Sequence, residues 1–288
     1  MFYFRKEELN QLNDFYESDE KACAVYGRRR VGKTELVLQS VKNRSNAIYF
    51  QVSGFDYDKA VDDFKGTLPP EMKSSLLDSV HTFRDVFSYM EMTCKNPLIV
   101  IIDEFPFLAR KNPDAPVEFQ WIIDHGLHNV KLVLIGSNTS FTRSQISDDA
   151  QPLYGRFDEI LNILPFSFQE IHELYLDYDE AMKVYAATGG IAQYVMLFKQ
   201  YKNAEEAEDH LLFNRNGRLF AEGPNLLMQE FRDITSYVSI LRSIGGGEKE
   251  SSVIAKKAGV DSRNINTYLE KLINLEIISP VTNLFSVM

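Results

Sequence analysis

The segment Gly27-Arg28-Arg29-Arg30-Val31-Gly32-Lys33-Thr34 has the spacing G-x-x-x-x-G-K-T and directly follows the apolar stretch Ala22–Tyr26. Two glycines at this separation let a backbone wrap closely around an anion, with its N–H groups pointing inward. The ammonium of Lys33 reaches β- and γ-phosphates, and the Thr34 hydroxyl is a ligand for Mg²⁺. A helix expected over Glu35–Val41 adds the positive end of its dipole to the same place. The expected nucleotide-binding set is therefore Gly27, Arg28, Arg29, Arg30, Val31, Gly32, Lys33, Thr34 and Glu35. The three arginines are expected to frame the loop, with a phosphate contact open to one of them.

A loop of this kind needs a carboxylate facing it. Leu98-Ile99-Val100-Ile101-Ile102-Asp103-Glu104 supplies two at the end of an unbroken apolar run, the pattern of a central parallel strand covered on both faces. Asp103 is expected to hold Mg²⁺, directly or through water, and Glu104 to polarise an attacking water. An Asp followed at once by a Glu favours hydrolysis over binding alone. Together the two segments predict a site for a nucleoside triphosphate and Mg²⁺.

These residues need a sheet to bring them together. Strands are expected at 21–26, 47–52, 98–104, 130–138 and 160–164, alternating with helical stretches such as Phe83, Val86, Phe87 and Met90. That alternation predicts a three-layer α/β sandwich around a parallel sheet. Right-handed crossovers line up the strand ends, so Lys33, Asp103 and either Ser137 or Asn138 are expected on one edge. Ser137 or Asn138 would there touch the nucleotide or its water.

With these residues in view, the chain resembles the prokaryotic AAA-like ATPases of the STAND branch of P-loop NTPases, the archaeal-type ATPase family. The loop sequence itself carries part of the likeness. Further segments follow in the family's order: Phe4–Leu9, near the adenine; Ile102–Phe105; Leu134–Ser137; Pro152–Arg156; and Gly189–Tyr194. Ala192 stands where that last element usually has proline. The resemblance implies an ATPase domain, a helical lid and a winged helix, with nucleotide between domain and lid. It also implies a role for Arg156 near a nucleotide, in its own site or as a finger reaching a neighbour's. Relatives with a further nuclease-like domain are known, and with the chain stopping at Met288 none is expected here.

Boundaries are expected at residues 1–164 for the ATPase domain, 165–224 for the lid and 225–288 for the winged helix. Ser167 with Glu170 reads as a capping box that opens the lid. In the last segment one long helix is expected over Leu226–Ser243 and a second over Ser252–Ala258. A third is expected over Ser262–Asn274, capped by Asp261, with Ile277–Val281 opening a wing.

The 288 residues are 44% apolar and 12% aromatic, enough for a substantial core. Two cysteines make no disulfide framework, and Cys23 is expected in the core, as is Trp121. His125 and His128 lack nearby partners in sequence and are read as helix-end residues. No membrane span or signal peptide is evident, so a cytoplasmic location is expected. The net charge is −10, and Lys and Arg only balance Asp and Glu over 225–288. Duplex DNA is held mainly through phosphates, so this balance favours a protein partner or a second copy of the chain. Lys256, Lys257, Arg263 and Lys271 keep DNA as the alternative. The functional expectation is an ATP-driven conformational switch, or alternatively a DNA-associated ATPase.

Overall fold

The computed structural model describes residues 3–53, 56–94, 96–137, 139–231 and 233–281. The chain divides into two compact units, Met1–Pro165 and Phe166–Met288. In the first, the elements run α1 (Lys6–Glu17), β1 (Ala22–Tyr26), α2 (Lys33–Val41), β2 (Ala47–Gln51), α3 (Tyr57–Thr67) and α4 (Phe83–Thr93). There follow β3 (Leu98–Asp103), α5 (Phe105–Lys111), α6 (Ala115–His125), β4 (Val130–Gly136), α7 (Thr139–Ser147) and β5 (Glu159–Asn162).

The five strands form one sheet in the order β2-β3-β4-β1-β5, every neighbouring pair parallel. β3 is buried along its whole length, as its unbroken apolar run requires. The chain leaves β1 for the far edge at β2, returns through β3 and β4, and then crosses to β5 on the other side of β1. That reversal opens a crevice at the carboxyl ends of the strands, where open α/β sheets bind ligands.

The alternation of β2 and β3 sends Ile48, Phe50, Val100 and Ile102 into one core with α3, α4 and α6. All four residues of the 83–90 stripe are buried there. Phe83 lies 5.5 Å from both Phe64 and Phe119, ring centre to ring centre. Trp121, expected inside, is only half-buried. Its ring is covered by the Arg84 guanidinium at 3.6 Å and stacked on His125. Cys23 is fully buried, and burial pushes its thiol well above the usual range.

The second unit is helical among the described residues: α8 (Phe168–Tyr175), α9 (Tyr178–Thr188), α10 (Ala192–Phe198), α11 (Ala204–Glu208), α12 (Glu222–Glu230), α13 (Thr235–Gly245), α14 (Ser251–Ala258) and α15 (Ile265–Asn274). Ser167 and Glu170 form the reciprocal capping box at the start of α8. A side chain at Gly190 would meet the Phe166 carbonyl at 2.1 Å, which explains a glycine at that turn.

Three details differ from expectation. The helix expected over Leu226–Ser243 is broken: α12 stops at Glu230, Phe231 is extended, and Asp233 accepts the Thr235 amide at 2.9 Å to start α13. Asp261 does not cap α15. Its carboxylate accepts the amide and guanidinium of Arg263, so it is spent on the preceding turn, and the helix begins at Ile265. No strand forms over Ile277–Val281, and the rest of the expected wing, like Asn138, lies outside the described residues. Ile265 and Leu272 do enter a small core with Leu227, Tyr237, Ile240 and Ile254, and Leu269 packs against it. Among the described residues no helix is long and apolar enough to cross a membrane.

Candidate nucleotide-binding site

β1 ends at Tyr26, and the loop turns at Gly27 with φ 147°. The Ile163 amide just beyond β5 donates to the Tyr26 carbonyl at 2.7 Å, which brings the Ile163 carbonyl against Gly27. A Cβ at Gly27 would lie 2.2 Å from that oxygen. Arg30 and Gly32 also have positive φ, and Gly32 is the N-cap of α2. The first amides of a helix have no intrahelical acceptor, so the start of α2 presents donors to the crevice.

Lys33 is 6% exposed, and its ammonium curls back to donate to the carbonyls of Gly27 and Arg28, each at 2.8 Å. An ammonium so placed spans the mouth of the loop, where it can exchange carbonyl partners for phosphate oxygens. Val31 is fully buried, and its carbonyl accepts from Arg5, whose guanidinium also bonds the Leu164 carbonyl and pairs with Glu8. Arg5 thereby ties the amino-terminal box to the loop and to the chain after β5. The Arg29 guanidinium lies 5.6 Å from the centre of the Phe107 ring on α5. Glu35 is exposed in the first turn of α2.

Thr34 donates its hydroxyl to Asp103 Oδ2 at 2.6 Å, joining two segments 69 residues apart. Asp103 is 2% exposed and accepts two more bonds: the Glu104 amide on Oδ1 at 2.8 Å and the Tyr49 hydroxyl on Oδ2 at 2.8 Å. Burial, and then the adjacent Asp103 carboxylate, push the Tyr49 phenol above its usual range, so it remains a donor. Glu104 adopts a left-handed conformation, φ 59°, as the N-cap of α5. Ser137, just past β4 and nearly buried, donates to Glu104 Oε2 at 2.6 Å. A bond this short to a carboxylate belongs to the strong class.

One edge of the sheet therefore brings together Lys33, Thr34, Asp103, Glu104 and Ser137. It does not bring Arg156 there. Arg156 precedes β5, whereas the loop follows β1, and the two strands are parallel with Cys23 opposite Glu159. Five residues of strand separate the two edges, roughly 16 Å at 3.3 Å per residue. Arg156 instead bonds Asp124 Oδ2 near the end of α6 at 3.2 Å and the Tyr154 carbonyl at 2.9 Å. It does not reach its own chain's loop.

Tyr49 is a contact that motif spacing misses, while Arg5 falls within the amino-terminal box already singled out. Tyr49 carries a weak signal: a polar-tipped ring set between the buried Ile48 and Phe50, two residues before β2 ends.

The donors suit a triphosphate and a hard divalent cation. A hydroxyl and a carboxylate are oxygen ligands of the kind Mg²⁺ takes, and a buried ammonium lies beside a helix N-terminus for anionic oxygens. Gly27 itself is required by the fold, since a side chain there would meet the Ile163 carbonyl.

Known proteins share this chain's fold and family. A curated relative, an uncharacterized protein of Methanocaldococcus jannaschii, is 31% identical over 296 aligned positions covering 98% of this chain. The chain spans 63% of that protein's length. Among solved structures, the Walker-type ATPase of Pyrococcus abyssi superposes with a TM-score of 0.74 at 21% identity, covering 98% of this chain and 92% of that one. The ORC2 protein of Aeropyrum pernix, solved as ADPNP and ADP complexes, gives 0.63 at 13% identity, covering 96% and 87%. At such identities the likeness concerns the fold, here that of a P-loop α/β ATPase. A family model described as an ATPase domain predominantly from Archaea matches residues 2–198, more than half of the sequence, and the chain belongs to that family.

Proposed function

We propose that the chain binds ATP with Mg²⁺ at the loop between β1 and α2 and hydrolyses it, using the energy of the nucleotide cycle as a conformational switch. The observation that carries this reading is the Thr34–Asp103 hydrogen bond, which joins the phosphate-loop helix to the acidic strand end. Lys33 and the first amides of α2 bind and orient the β- and γ-phosphates. Thr34 and Asp103 would hold Mg²⁺, which neutralises charge on the phosphate oxygens when bound. Glu104 accepts the proton of the attacking water, and Ser137 orients the Glu104 carboxylate. Arg156, paired with Asp124 on the opposite edge, acts on the nucleotide of a second copy of the chain. The helices at 165–224 serve as the lid and the segment 225–288 as a winged helix that docks a protein partner. The expected setting is the cytoplasm, where ATP is abundant.

DNA binding by residues 225–288 is the second reading, and local charge pairing speaks against it. Of its basic candidates, Lys257 pairs with Glu248 and Arg263 with Asp261.

The test is Mg-dependent ATP hydrolysis by the wild type, Lys33→Ala and Glu104→Gln, each with and without duplex DNA. Lys33→Ala is expected to lose nucleotide binding, while Glu104→Gln binds without turnover. Normal turnover by Glu104→Gln would remove the base assignment, and strong stimulation by DNA would favour the second reading.

A further inference from the structure

Asp103 has three hydrogen-bond donors, and only two of them belong to the motifs that identify the site. The third comes from β2, an edge strand of the sheet. Tyr49 stands opposite Ile101 in the β2–β3 register, and Gln51 opposite Asp103. Side chains alternate along a strand, so Tyr49, Ile101 and Asp103 share one face of the sheet, while Ile48, Phe50, Val100 and Ile102 fill the core on the other. Asp103 is then one two-residue step beyond Tyr49, roughly 6.6 Å along the strand. A phenol spans that step, and the hydroxyl meets Oδ2 at 2.8 Å. No shorter side chain at position 49 would reach.

The consequence concerns the direction in which Thr34 faces. A hydroxyl has one proton to donate and two lone pairs to offer. The Thr34 proton is directed to Asp103 Oδ2, so the orientation of that carboxylate decides where the Thr34 lone pairs point. The Glu104 amide holds Oδ1 from the backbone, and Thr34 and Tyr49 hold Oδ2 from two different elements. Without the phenol, Oδ2 keeps one side-chain donor, and that donor is the residue whose orientation is to be set. The carboxylate and the threonine can then turn together.

We propose that Tyr49 is a positioning residue for Mg²⁺: by fixing the Asp103 carboxylate it aims the Thr34 hydroxyl and the metal-facing side of Asp103 at the cation. This rests on the ATP–Mg²⁺ reading of the site. Partners of this outer kind typically contribute about 10- to 100-fold to metal affinity.

The experiment is a titration of a fluorescent ATP analogue against the full chain, wild type and Tyr49→Phe, across a Mg²⁺ series and in EDTA. Phe keeps the ring and removes only the hydroxyl. The Mg²⁺ concentration at half-saturation is expected to rise by about tenfold or more, with nucleotide affinity in EDTA unchanged. Asp103→Asn serves as the reference for a disabled metal side. An unchanged Mg²⁺ midpoint in Tyr49→Phe, beside a shifted one in Asp103→Asn, overturns the proposal. An equal loss of affinity with and without Mg²⁺ also overturns it, because that is the mark of a general structural role. Wild type that binds nucleotide indifferently to Mg²⁺ overturns the underlying reading and Tyr49 with it.

Discussion

Replacing Gly27 by alanine separates the demands of phosphate binding from those of the fold. The loop glycine is usually justified by the anion it must approach, yet the nearest obstacle to a side chain here is protein. A Cβ at Gly27 would lie 2.2 Å from the Ile163 carbonyl oxygen and 3.1 Å from its carbon. That carbonyl cannot retreat cheaply, because the Ile163 amide is bonded to Tyr26 and the next carbonyl, of Leu164, is held by Arg5. Two costs add: a backbone conformation that side chains rarely adopt, about 1–3 kcal/mol, and relief of the overlap, about 1–3 kcal/mol. Gly155→Ala is the control, since φ there is 66° and nothing lies within 4 Å of the added atom. It pays only for the dihedral, about 1–2 kcal/mol. The single tryptophan, Trp121, belongs to the first unit, so its fluorescence in urea reports the unfolding of that unit alone. Without nucleotide, Gly27→Ala should unfold at lower urea than Gly155→Ala, by a gap of about 1–3 kcal/mol. Equal midpoints for the two variants would refute the argument that β5 closes on the loop.

Arg156→Ala should leave ATP affinity unchanged and reduce turnover in a way that depends on protein concentration, because the residue stands on the edge opposite its own loop. A finger contributes about 10³- to 10⁵-fold; an equal deficit at every dilution would show that no second copy is involved. Ser137→Ala removes a bond to a carboxylate worth roughly 1.5–3 kcal/mol, so kcat should fall about 10- to 100-fold at unchanged nucleotide affinity. Steady-state kinetics showing unaltered kcat would free Ser137 of any part in orienting Glu104.

The parts of the site that were legible in sequence are those whose chemistry and position are dictated by neighbours along the chain. Glycine spacing, a following helix and an apolar run ending in two carboxylates are local facts, and the parallel sheet then has little choice but to align their ends. Reading failed where a residue's partner is distant. Gly27 is constrained by Ile163, and Asp103 is held by Tyr49, through contacts that only the strand order β2-β3-β4-β1-β5 creates. It also failed where two local signals competed. One continuous helix was expected through residue 231, but the Asp233 carboxylate accepts the Thr235 amide, an alternative to the helical ladder. Asp261 had the right type for a cap and was taken by Arg263, two residues away. Arg156 is the instructive case, because its placement needed no coordinates. A residue just before a parallel strand lies on the edge opposite a loop that follows one, and the alternation of strands and helices already put Arg156 on that far edge, where it meets Asp124.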